Sequence, residues 1–138
     1  MNTIAVDAMG GDSAPIDIVK GAIKAKEQGV DIVLCGDKNL INPYLENHEI
    51  PVFDFPEVIS MDEDPLRAIR NKKNASIVGC MQLLKDKKVQ AVFSAGSTGA
   101  TLISAISILG KHKGVIRPVI ASVLPSLSGN TILLDSGA

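Results

Sequence analysis

Gln90-Ala91-Val92-Phe93-Ser94-Ala95-Gly96-Ser97-Thr98-Gly99-Ala100-Thr101-Leu102-Ile103 reads as a strand that turns directly into a helix. The strand covers Gln90 to Ser94, small residues make the turn, and the helix runs to about Leu109. Leu102, Ile103, Ile106 and Leu109 place apolar groups on nearly every side of that helix, so it is expected to be buried. Strands separated by helices of ten or more residues call for right-handed crossovers and a mostly parallel sheet with helices on both faces. The fold class is therefore α/β.

The rest of the chain repeats the pattern on both sides of this unit. Thr3 to Val6 is a short strand, stopped by Asp7-Ala8-Met9-Gly10-Gly11-Asp12. Ser13 is placed to cap the following helix, with Pro15 and Asp17 in its first turn, Ile16, Val19 and Ile23 on one face, and Gly29 closing it. Asp31 to Cys35 makes a second strand, Leu40 to Glu46 a shorter helix, and Val52 to Phe55 a third strand. Asp64-Pro65 opens a short helix through Arg70, and a further helix starts at Asn74 or Ser76 with Ile77, Met81 and Leu84 on one face. Val119 to Val123 and Thr131 to Leu134 supply two more strands. The 138 residues read as one α/β domain. The chain stops at Asp135-Ser136-Gly137-Ala138, a strand-to-turn junction without its covering helix, which predicts the front part of a longer chain.

Composition agrees with this. A hydrophobic fraction of 46% against 21% charged residues describes a packed protein and excludes a disordered tail. Three Phe, one Tyr and no Trp leave the core to Ile, Val, Leu and Ala, which suits a parallel sheet buried on both faces. A net charge of −1 gives no long-range field for nucleic acid or anionic lipid. The amino terminus has no basic region followed by an apolar stretch, and nowhere do eighteen apolar residues run together, so neither a signal peptide nor a membrane span is expected. Cys35 and Cys80 lie in apolar surroundings and read as reduced core thiols of a cytosolic protein.

In an open α/β sheet, ligands sit beyond the carboxyl ends of the strands. The turn at Gly96, Ser97, Thr98 and Gly99 offers close backbone approach, free helix-start amides and two hydroxyls to an anion; a plain cap at Ser97 or Thr98 explains the same residues. It is neither a P-loop nor a dinucleotide fingerprint. Asp7 and Asp12 bracket Gly10 and Gly11, which makes either a site wall or an ordinary turn in which Asp12 caps the helix. Arg67, Arg70, Lys72 and Lys73 form the densest basic cluster, and Arg67 and Arg70 share one helical side where they could clamp a phosphate; a solvated face is the alternative. Pro118 stiffens the backbone beside Arg117, another candidate cation. His48 and His112 have no Cys, Asp or Glu at ligand spacing, so no metal site is expected. Neither a Gly-x-Ser-x-Gly elbow nor a Cys–His pairing is present, and a covalent Ser or Cys mechanism has no support.

Five blocks in order resemble the bacterial phosphate acyltransferases of the PlsX family. They are Asp7 to Pro15, Asp64 to Lys73, Ser94 to Ala100, Arg117-Pro118, and Leu133 to Ala138. Ser97 stands where the family more often has Asn, and the family's members are longer than this chain. The resemblance implies a fold like that of isocitrate and isopropylmalate dehydrogenases. It implies transfer of a fatty acyl group from acylated acyl carrier protein to inorganic phosphate, giving acyl phosphate early in phospholipid synthesis. It also implies a cytoplasmic homodimer loosely attached to the inner face of the membrane, with no cofactor and no nucleic-acid partner. Phosphate is its own nucleophile in such a reaction, so the site must hold it and stabilise charge. On that reading Asp7, Arg67, Ser97 and Asp135 are the catalytic candidates. Gly10, Gly11, Asp12, Arg70, Lys73, Gly96, Thr98, Gly99 and Arg117 are the candidates for binding phosphate or substrate. The other readings are a nicotinamide-dependent hydroxy-acid dehydrogenase of related fold and a non-catalytic phosphate-sensing domain.

Overall fold

The computed structural model describes residues 2–134; Asp135 and the residues after it, and Met1 before them, lie outside the described residues. The elements run β1 (Ile4–Asp7), α1 (Ile16–Glu27), β2 (Ile32–Gly36), α2 (Lys38–Leu45), β3 (Val52–Asp54), α3 (Pro65–Asn71), α4 (Ser76–Lys85), β4 (Ala91–Phe93), α5 (Thr98–Ile108), β5 (Ala121–Ser126) and β6 (Gly129–Leu134). The first four strands form one parallel sheet in the order β3-β2-β1-β4. Ile4 pairs with Ile32 on one side and with Ala91 on the other, and Leu34 pairs with Val52. From β1 the chain moves outward through β2 to β3, then returns to place β4 on the other flank of β1. That reversal between β1 and β4 opens a crevice at their carboxyl ends.

Alternation along the strands sends side chains to both faces. Val6, Ile32 and Leu34 join Val19 and Ala22 of α1 and Ile41 and Leu45 of α2 in one core layer. Ala5, Val33 and Cys35 meet Cys80 and Leu83 of α4 on the other face. A third cluster, Ile69, Ile77 and Met81, joins α3 to α4, with Ile103 and Ile108 of α5 packed against it. Leu34, Ile41 and Val19 are fully buried, and burying each such side chain contributes about 1.5–3 kcal/mol. Cys35 and Cys80 are free and buried. The adjoining Cys35 thiol, and then burial, push the Cys80 thiol far above its ordinary range, so it is no nucleophile. No described helix is long and apolar enough to cross a membrane.

Three features differ from the sequence reading. α1 starts at Ile16 with Pro15 in the cap position and no side-chain cap, so neither Ser13 nor Asp12 caps it. The chain enters α1 through a backbone turn in which Ala14 N–H donates to the Gly11 carbonyl at 3.2 Å and Asp17 N–H to the Ser13 carbonyl at 3.2 Å. α5 buries only Ala100 and Ser104, because α3 and α4 cover one side of it and Leu109 is left exposed. The last two strands do not extend the parallel sheet. β5 and β6 pair with each other antiparallel, Ala121 opposite Leu134 and Ser126 opposite Gly129. Only Leu127 and Ser128 separate them, and a parallel connection needs a dozen residues or more. On its free side β4 pairs with no described strand, and an apolar groove of about 410 Å³ lined by Ile4, Val6, Ile18, Ala22, Ile32 and Phe93 runs beside it.

Candidate active site

The crevice between the ends of β1 and β4 brings together two loops that lie far apart in sequence. Asp7, the last residue of β1, is 3% exposed. Its Oδ2 accepts from the Ser94 hydroxyl at 2.7 Å, and its Oδ1 accepts from Met9 N–H at 3.3 Å. The Ser94 oxygen in turn accepts from Gly96 N–H at 3.1 Å. One hydroxyl thus connects the carboxylate at the end of β1 to the turn that starts α5. A buried carboxylate without a cation is tolerable only when its oxygens are hydrogen-bonded, as they are here.

The same closeness explains the glycines. A Cβ on Gly10 would stand 2.5 Å from Asp7 Oδ2 and 3.0 Å from Gly96 N, and a Cβ on Gly96 would stand 3.0 Å from Gly10 Cα. Gly11 adopts a φ of +116°, which L side chains rarely take. The two loops therefore meet backbone to backbone. Gly99 serves a different contact, since a Cβ there would come within 2.8 Å of Pro65 Cγ at the start of α3.

Ser97 caps α5, its Oγ accepting from Ala100 N–H at 3.3 Å. The hydroxyl proton stays free to be donated to an anion. Ser97, Gly10, Gly96 and Asp7 line one small cleft together with Met9, Ile59, Ser76, Ile77, Ser94, Ala100 and Thr101. Thr98 is exposed at the first position of α5, and Asp12 is exposed beyond the Gly10-Gly11 turn.

The basic candidates do not line this cleft. Asp64 caps α3 by accepting from Arg67 N–H at 2.7 Å, and the exposed Arg67 side chain borders an open groove with Glu63, Asp64, Asn71 and Lys72. Arg70 is exposed on the same helix. Lys73 Nζ donates to the Ile69 carbonyl at 3.2 Å. Lys72 Nζ donates to Glu63 Oε1 and to the Val58 carbonyl, both at 2.6 Å. The Lys72 ammonium, with the amide and hydroxyl of Ser60, holds the Glu63 carboxyl below its usual range. Arg117 is exposed on the connection between α5 and β5, and Asp135 lies outside the described residues. No group of three or more His, Cys, Asp or Glu among the described residues is placed to hold a metal ion.

Ser76 lines the cleft, although the sequence marks it only as a helix start. Ser94 stands in the turn the sequence singles out, but its contact with Asp7 is not legible there. The available signal is positional, because both stand where a strand or loop gives way to a helix at the ligand-binding end of the sheet.

Residues 2–138 match the family described as "Fatty acid synthesis protein". A phosphate acyltransferase of Desulforamulus reducens is 49% identical over 143 residues, covering 100% of this chain and 43% of that protein. Phosphate acyltransferases of Desulfitobacterium hafniense and Gloeothece citriformis are 46% and 49% identical, covering 100% and 98% of this chain and 43% and 40% of theirs. The chain spans about two fifths of the length of the curated relatives it matches.

Proposed function

The chain belongs to the fatty acid synthesis protein family, and from that premise we propose that it is part of an acyltransferase that moves a fatty acyl group from acyl carrier protein to inorganic phosphate, releasing acyl phosphate for phospholipid synthesis. The observation that carries this reading is the crevice between β1 and β4. Two glycine-containing loops meet there through the Asp7–Ser94–Gly96 hydrogen bonds, and the start of α5 offers donors to an anion. The reaction needs a positioned phosphate and stabilised charge, and it needs no protein nucleophile. Holding the reactants in place is worth about 7–11 kcal/mol at best.

In this proposal Gly10 and Gly11 let the first loop come close, and Gly96, Ser97, Thr98 and Gly99 present amides and hydroxyls to phosphate. Asp7 acts by holding the second loop in position through Ser94, and Asp135 shapes the other side of the site. Asp12, Arg70, Lys73 and Arg117 surround the substrate, and Arg67 neutralises charge. The 138 residues form one domain, of the isocitrate and isopropylmalate dehydrogenase type that the resemblance implies, within a longer protein, in keeping with the length of the relatives. As the resemblance implies, the whole protein is a cytoplasmic homodimer in loose contact with the membrane. The dehydrogenase and sensing readings gain nothing from these relatives.

The test uses the full-length protein, acylated carrier protein, and hydroxylamine to trap acyl phosphate. Hydroxamate that forms only when phosphate is present is the expected result. Its absence with fully acylated carrier protein would reject the proposed activity.

A further inference from the structure

A second helix begins in the same crevice. Ser76, the first residue of α4, is 3% exposed and lines the cleft beside Asp7, Gly96 and Ser97. Its backbone N–H donates to the Glu57 carbonyl at 3.1 Å. Its hydroxyl takes no part in the side-chain hydrogen bonds that hold the neighbouring loops. Among the described residues no fully buried side-chain oxygen lacks a partner, so the Ser76 oxygen keeps some exposure, and the cleft is the space this residue lines. No side chain among the described residues caps α4, and the amides of its first turn have no side-chain acceptor there. The positive ends of α4 and of α5 therefore converge on one cleft.

The size of the cleft defines what enters it. It has about 10 Å³ of space for a water-sized sphere, which is room for one oxygen atom and not for a whole phosphate ion. We propose that Ser76 is a further substrate-binding residue, its hydroxyl donating to a single oxygen that a phosphate anion lowers into the cleft between the starts of α4 and α5. The Asp7 carboxylate opposes an anion there. Both of its oxygens are turned to Ser94 and Met9, and the two helix starts supply the compensating field. The inference rests on the phosphate-acyltransferase reading for the identity of the anion.

The experiment measures phosphate binding by titration calorimetry on the full-length protein, alongside turnover. Ser76→Ala is expected to weaken phosphate binding about tenfold and to raise the KM for phosphate by the same factor, with kcat within about twofold. Ser76→Thr keeps the hydroxyl and is expected to keep the wild-type affinity. Unchanged binding in Ser76→Ala overturns the proposal, and so does an equal loss in both variants, which would trace the effect to packing. A fall in kcat with KM unchanged overturns it too, since the hydroxyl would then serve the acyl oxygen. Wild-type protein that binds phosphate through Ser76 yet makes no acyl phosphate would sink the proposed activity and leave the binding residue standing.

Discussion

Asp7 and Glu63 each organise a loop near the proposed site, and they do it by opposite means. Asp7 is buried, forms no ion pair among the described residues, and is satisfied by a hydroxyl and an amide. Glu63 has a side chain one-third exposed and accepts from the Lys72 ammonium at 2.6 Å, from Ser60 N–H at 2.9 Å and from the Ser60 hydroxyl at 3.1 Å. The first arrangement joins residues 87 positions apart and sets the distance between two loops. The second closes a local turn in water, where an ion pair contributes little. A strong charge pair is thus no guide to where the architecture depends on a carboxylate; the hydrogen bonds that uncharged donors make to Asp7 matter more.

The largest effect expected from this contrast is at Gly10. Gly10→Ala forces a Cβ against Asp7 Oδ2 and Gly96 N, so both loops must part. It should cost about 3 kcal/mol by chemical denaturation and abolish phosphate-dependent turnover. A variant of unchanged stability and activity would show that the loops separate freely. Ser94→Ala comes next. It leaves Asp7 Oδ2 and Gly96 N–H without their partner, at about 2 kcal/mol, and the share that comes from Asp7 should vanish when Asp7 is already Ala. Full additivity of the two substitutions would break the proposed connection between the loops.

Arg67→Ala tests the exposed side of the comparison. It should raise the KM for phosphate several-fold while leaving stability within about 0.5 kcal/mol. An unchanged phosphate dependence would remove Arg67 from the site. The smallest effect is at Lys72. Glu63 titrates below its ordinary 4.5 in the folded state, so its contribution is fully present above that value and fades as pH falls through the lower folded one. Lys72→Met should flatten that acid-side loss in melting curves taken from neutral pH downward. Superimposable pH profiles would show that the pair stabilises nothing.

Local chemistry was legible in the linear chain, and long-range geometry was not. Asp64-Pro65 announces the start of α3, and the apolar run before Gly36-Asp37 announces β2, because caps and buried strands are decided by neighbouring residues. The turn from Gly96 to Gly99 was visible as a meeting of strand and helix. That Asp7 grips Ser94 depends on β4 lying beside β1, and no local pattern specifies strand order. The hairpin was missed for another reason. Its turn, Leu127-Ser128, carries none of the usual Asn-Gly or Asp-Gly marks, although the short spacing alone excludes a crossover. The exposure of α5 could not be read because apolar residues all round a helix say what it prefers, not what is present to cover it.

The thiols in the sheet's second layer have a practical consequence. Cys35 and Cys80 sit where β2 packs against α4, both with 0% exposure and with Cys80 held protonated. A thiol reagent reaches them only when that layer opens. The rate at which these two cysteines are labelled therefore counts the openings of the protein's interior, with no probe added to it.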